Sequence, residues 1–74
     1  MEIEIRLFAS FRNGRWKSKR LLYDDNVQIM DVLDFLHINK EEIGMILVNG
    51  SYQTVDYNLH DNDILALFPP VAGG

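Results

Sequence analysis

The residues with the clearest chemical potential are the last six, Pro69-Pro70-Val71-Ala72-Gly73-Gly74. The two prolines lack the N–H that a sheet ladder needs and hold the backbone extended. Val71 and Ala72 are small, and the two terminal glycines carry no Cβ, so this end can enter a channel too narrow for other residues. The segment 69–74 is expected to be a flexible tail reaching roughly 20 Å beyond the fold, at about 3 Å per extended residue. What it delivers is the terminal carboxylate of Gly74. A carboxylate is a poor acyl donor until it becomes a mixed anhydride, typically by adenylation with ATP. Once activated, it can take up a sulfur nucleophile or an amine.

The rest of the chain offers little competing chemistry. Cysteine is absent, so disulfides and cysteine-based zinc sites are excluded. His37 and His60 stand at no metal-ligand spacing from each other or from a carboxylate, and no metal site is expected. Asp61-Asn62-Asp63 could open a calcium loop, but such a loop needs glycine at its sixth position and glutamate at its twelfth. Ala66 and Ala72 stand there instead. The segment is expected to be a turn, with Asn62 in left-handed geometry and the aspartates bonding local amides. Ser10, Ser18 and Ser51 have no histidine at a recognisable motif distance to serve as base. The pairs Asp24-Asp25 and Glu41-Glu42 read as solvated loop carboxylates. The body is expected to be a scaffold and not an enzyme on its own.

A chain of 74 residues is one small domain, and 47% hydrophobic residues is globular rather than disordered. The opening Met1-Glu2-Ile3-Glu4 alternates apolar with acidic, unlike a signal peptide, and no apolar run is long enough to cross a bilayer. A cytoplasmic protein is expected. Net charge is −4, yet five of the seven basic residues (Arg12, Arg15, Lys17, Lys19 and Arg20) fall within nine positions, leaving −9 for the remainder. An acidic body argues against nucleic-acid binding. The basic stretch is expected to be a solvated hairpin arm, with contact to an acidic partner as the alternative.

The elements that carry the tail follow from periodicity. Glu2 to Phe8 alternates with period two, placing Ile3, Ile5 and Leu7 on one face of a strand. Asn13-Gly14 signals a reversal, and Trp16 to Tyr23 is expected to return as the second arm of a hairpin. Ile29, Val32, Leu33 and Leu36 form one helical stripe, predicting a helix from about Gln28 to His37 capped by Asp25 or Asn26. Asp31 and Asp34 face water, Asp31 near the positive end of the helix dipole. Met45 to Val48 is continuously apolar, as a central strand is. Asn49-Gly50 turns the chain into Tyr52 to Thr54, a loop carries 56–62, and Asp63 to Phe68 is the last strand. The order β-β-α-β-β-β predicts a two-layer α+β domain over 1–68, a mixed sheet with one helix across one face.

With these residues in view, the sequence resembles the MoaD/ThiS family of ubiquitin-like sulfur carriers along nearly its whole length. Leu7-Phe8-Ala9-Ser10-Phe11-Arg12 is similar to the family's first-strand ending, Ile29 to Leu36 to its helix, and Leu47-Val48-Asn49-Gly50 to its central strand and turn. Leu59 to Gly74 is similar to its closing segment. The last six residues resemble the molybdopterin branch, the small subunit of molybdopterin synthase, more than the thiamin branch. Two departures are Asn62, where the family usually has glycine, and the short basic run from Arg12 to Arg20.

The resemblance implies a β-grasp fold and a role as protein co-substrate. An adenylating enzyme of the ubiquitin-activating type, which uses ATP, forms the acyl-adenylate on Gly74, and a sulfurtransferase step yields a thiocarboxylate. The tail (Pro69, Pro70, Val71, Ala72, Gly73) then inserts into a large catalytic subunit, and sulfur passes to a pterin precursor. No cofactor bound by this chain is implied. Other outcomes are a carrier for thiamin or cysteine synthesis, a modifier joined through Gly74 to lysines, or an interaction domain with incidental glycines. Partner contact is expected on the sheet surface beside the tail, with Phe68 the leading candidate and Phe11 and the basic stretch weaker ones.

Overall fold

The computed structural model describes residues 1–71. Five strands form one mixed sheet: β1 (Glu2–Leu7), β2 (Ser18–Leu22), β3 (Met45–Val48), β4 (Ser51–Tyr52) and β5 (Ile64–Phe68). Their order across the sheet is β2-β1-β5-β3-β4. β1 and β5 run parallel, with Ile5 opposite Leu65, while the other pairs are antiparallel. The helix α1 (Ile29–Leu36) presents Ile29, Val32, Leu33 and Leu36 to a core shared with Ile3, Ile5 and Leu7 of β1 and Leu65 and Leu67 of β5. The expected β-grasp architecture and element order are present. Among the described residues no helix is long and apolar enough to cross a membrane.

Three local expectations need correction. The helix is capped by Gln28, not by Asp25 or Asn26: Asp31 Oδ2 accepts the Gln28 amide at 2.8 Å, closing a capping box. The next two amides, of Ile29 and Met30, donate to the carbonyls of Tyr57 at 3.1 Å and Val55 at 2.9 Å. Distant backbone thus takes the place of the upstream side-chain cap. Asn26 instead turns the chain with φ 68°, and His37 closes the helix in left-handed geometry at φ 59°.

The second correction concerns the opening arm. β1 ends at Leu7 and a short 3-10 helix follows at Ala9–Arg12, so β2 begins only at Ser18. Phe11 causes this detour, because its ring sits in the core with 5% exposed. The arginines of the basic stretch brace it. Arg12 Nε donates to the Leu7 carbonyl at 2.8 Å, and an Arg15 guanidinium nitrogen donates to the Leu36 carbonyl at the helix end at 2.9 Å. Arg20 pairs with Glu2 and Glu4 at 3.0 and 3.1 Å. Arg12, Lys17, Lys19 and Arg20 nonetheless stay exposed, as a solvated arm requires, and only Arg15 is half-buried.

The third is the central strand, which is β5 and not β3. β3 alternates: Ile46 and Val48 are buried, while Met45 and Leu47 are half-buried on the opposite face. Its unbroken apolar run therefore reports an outer sheet face that is also apolar, rather than a strand covered on both sides.

Tyr23 carries a buried hydroxyl with no hydrogen-bond partner among the described residues. Burial, and secondarily the Asp31 carboxylate, raise its phenol above the ordinary value of 10.0. A phenol raised in the fold contributes stability that is present below its unfolded value and lost as pH rises through the folded one. Tyr23→Phe is therefore expected to be neutral or stabilising by about 0.5–1 kcal/mol at neutral pH, since it removes an unpaired polar group. It should also flatten the alkaline loss of stability. Thermal melts at pH 7 and above pH 10 check both; a marked destabilisation at pH 7 contradicts the unpaired reading.

Candidate functional site

The tail grows from β5, so whatever anchors β5 aims the tail. Its start is held by a side-chain cluster. Asn49, in left-handed geometry at φ 52°, donates its amide to Asp63 Oδ1 at 2.8 Å and accepts the Ile64 amide at 2.9 Å. Asp63, with 6% exposed, accepts the His60 amide at 2.8 Å through Oδ2. Asn62 has φ 68° and its amide donates to the Glu2 carbonyl at 2.7 Å. The segment 61–63 is the turn that its residue types predicted, but Asp61 Oδ1 accepts the distant Glu2 amide at 2.7 Å rather than a local one, which ties β5 to the start of β1.

At the other end, the ladder stops at Phe68, whose carbonyl accepts the Gly44 amide at 2.8 Å. Pro69 is half-buried, and Pro70 and Val71 are exposed, Val71 at 84%. The expected working residues Ala72, Gly73 and Gly74 lie outside the described residues.

The sheet face around this exit has two halves. Register places Leu47 opposite Ala66 and Tyr52, and Met45 opposite Phe68, so these residues share the face turned away from α1 with Ile64. Phe8 and Phe68 stack with ring centroids 4.2 Å apart and planes 13° from parallel, and the Arg12 guanidinium lies 5.3 Å from the Phe8 centroid. An open cleft borders the stack, formed by Phe8 to Ser10, by Gly44 and Met45, and by the tail root. Toward β2 the face turns charged. Glu4 lies between Arg6 and Arg20, and the hydrogen bond from Arg6, with the nearby positive charges, lowers its carboxyl below the ordinary value.

Of the sequence candidates, Phe68 stands on this surface at the foot of the tail, whereas Phe11 is core and offers no contact surface. Phe8 was missed, although its signal was legible. Period two puts it on the same face as Glu2, Glu4 and Arg6, an aromatic where a solvated face calls for a polar residue. His60 Nδ1 lies 3.7 Å from Asp63 Oδ2, but among the described residues no group of three His, Cys, Asp or Glu could hold a metal ion. The arrangement is a half-apolar, half-charged surface around the point where Pro69 to Val71 leave β5.

Comparison with known proteins gives this arrangement its context. The model of the ThiS family matches residues 5–74. The solution structure of the Haloferax volcanii HVO 2177 protein is 34% identical, with a TM-score of 0.79, covering 100% of this chain and 87% of that one. Small archaeal modifier protein SAMP1 of Haloferax volcanii is 27% identical, with a TM-score of 0.77 over 100% of both chains. A complex of subunits 1 and 2 of molybdopterin-converting factor from Helicobacter pylori contains a chain 26% identical, with a TM-score of 0.65 and full coverage of both. No curated protein matches at a significant level.

Proposed function

The chain belongs to the ThiS family, and on that premise we propose that it is a sulfur carrier whose reacting group is the Gly74 carboxylate. The observation that carries this reading is the tail root: a strand fixed between β1 and β3 ends in Pro69-Pro70 beside an exposed apolar collar. A carboxylate oxygen of Gly74 attacks the α-phosphorus of ATP in an adenylating partner, and pyrophosphate leaves. A persulfide sulfur on a sulfurtransferase then attacks the acyl carbon and displaces AMP, and a second thiol of that enzyme cleaves the resulting acyl disulfide, leaving a thiocarboxylate on Gly74 and a disulfide on the sulfurtransferase. The chain itself binds no cofactor in this scheme and works in the cytoplasm as co-substrate.

The recipient favoured here is a pterin precursor held by a large synthase subunit, with this chain as the small subunit. Two features support that choice: the Phe-Pro-Pro-Val-Ala-Gly-Gly ending, and the similarity to a chain that the Helicobacter pylori complex pairs with a subunit 2. A specific observation also favours a second reading, a modifier joined through Gly74 to lysines of other proteins. It is the full-length likeness to the archaeal modifier. Intact-mass measurement of the protein from its host separates the two. Sulfur in place of one oxygen at Gly74 is expected for the carrier, and target lysines bearing the chain's C-terminal segment through an isopeptide bond to Gly74, seen after proteolysis, for the modifier. Neither species, in cells making molybdenum or tungsten cofactor, overturns both.

A further inference from the structure

One glycine in the body meets the tail. A Cβ built on Gly44 falls 2.6 Å from the Pro69 carbonyl oxygen and 2.7 Å from both the nitrogen and the Cα of Pro70. Distances under about 3 Å are steric overlap, and every overlapping atom here is backbone, which cannot swing aside as a side chain does. Gly14 and Gly50 differ from it in kind. Both have positive φ, of 70° and 86°, and nothing within 4 Å of the added carbon. They are glycines for the sake of a turn; Gly44 is a glycine for the sake of a neighbour.

That neighbour is held as well as admitted. The Gly44 amide donates to the Phe68 carbonyl at 2.8 Å, the last ladder bond before the prolines. The first two tail residues therefore leave β5 pressed against a backbone that has no side chain, while the Phe8–Phe68 stack stands at the strand's end. Proline fixes φ near −65°, so the direction in which the chain leaves the sheet is set at Pro69 and Pro70. A reorientation of 30° at Pro70 shifts the mean position of the chain four residues further on by up to roughly 6 Å, at about 3 Å per residue. For a carboxylate that has to reach one reacting atom, such a displacement is decisive.

We propose that Gly44 is a positioning residue for the C-terminal tail: its missing side chain forms the seat that sets the direction in which the reactive end leaves the fold. The seat follows from geometry alone, and only its consequence for activation rests on the carrier reading above. Any side chain at position 44 must push Pro69-Pro70 off the sheet, open the bond to Phe68, or shift β3. The first outcome lowers the fraction of molecules whose tail points into a partner's channel, and apparent affinity falls by that fraction. Chemistry on a tail already inserted is untouched.

Two measurements on Gly44→Ala test this. In the first, thermal unfolding is compared for Gly44→Ala in the 74-residue chain and in a chain ending at Phe68, each against its Gly44 parent. All core residues lie upstream of that end. The full chain is expected to lose about 5 °C or more and the shortened one under about 2 °C, because the clashing atoms are gone. Equal losses in both overturn the seat. In the second, the half-saturating concentration of carrier is measured by ATP–pyrophosphate exchange with the host's adenylating enzyme. Gly44→Ala should raise it about tenfold at unchanged maximal rate, whereas Gly50→Ala, destabilised by its positive φ but remote from the tail, should leave it unchanged. An unchanged value for Gly44→Ala, or an equal rise for Gly50→Ala, overturns the positioning role. If the parent chain is not activated at all, the carrier reading fails instead, and the thermal comparison still decides the seat.

Discussion

Deleting Gly74 is expected to abolish activation of the protein while leaving its fold intact. The shortened chain still ends in a carboxylate, but that group falls about 3.5 Å short of its former reach. Misplacement by about 1 Å can already cost a hundredfold in rate, so a loss of more than about a thousandfold is expected. Stability should hardly change, because the core residues run from Ile3 to Leu67 and the tail contributes none of them. Pyrophosphate exchange with the adenylating partner reads the first effect and circular-dichroism melting the second. Retention of activation would mean that the reach set by Gly74 is not what positions the carboxylate.

The largest effect on folding is expected at Leu65. It is fully buried in the central strand, opposite Ile5 of β1 on one side and Val48 of β3 on the other. Leu65→Ala removes buried methyl groups and leaves a cavity that two flanking strands cannot easily close, a loss of about 2–5 kcal/mol. A domain of this length has only about 4–11 kcal/mol to lose, so the melting temperature should fall by more than about 10 °C. Urea and thermal unfolding measure this. A drop of under about 3 °C would place Leu65 outside the core. The two variants fail differently: one loses activation with the fold intact, the other loses both together.

Much of this architecture was legible because it is local. The stripe at Ile29, Val32, Leu33 and Leu36 and the alternation from Glu2 to Leu7 are written in adjacent residues, and both appear as expected. Errors arose where partners are distant in sequence. Asp25 and Asn26 are good capping residues, yet the amides they would have served are taken by Val55 and Tyr57. Phe8 keeps the outward face that the period of two gives it, whereas Phe11 is carried into the core by the 3-10 turn Ala9–Arg12, which no local pattern announces. For the site, Phe68 stands beside the exit of the chain as its place before the prolines predicts, while Ala72, Gly73 and Gly74 lie outside the described residues. The Phe8–Phe68 stack and the seat at Gly44 were not legible, since each joins parts of the chain that no local pattern links.

The parallel pairing of β1 with β5 has a further consequence, for the order of events during synthesis. Glu4 lies beside Ile64, so the sheet joins segments 60 positions apart, and the strand between β1 and β3 is the last to be made. Closing so long a loop costs entropy before any contact repays it, which delays folding until the distant partner exists. A nascent chain lacking β5 leaves β1 and β3 with unsatisfied facing edges, a form open to aggregation and proteolysis rather than to productive docking. The element that completes the core is also the one that bears the tail. Folding therefore acts as its own checkpoint: a stable mount and a tail to present arise from the same stretch of translation.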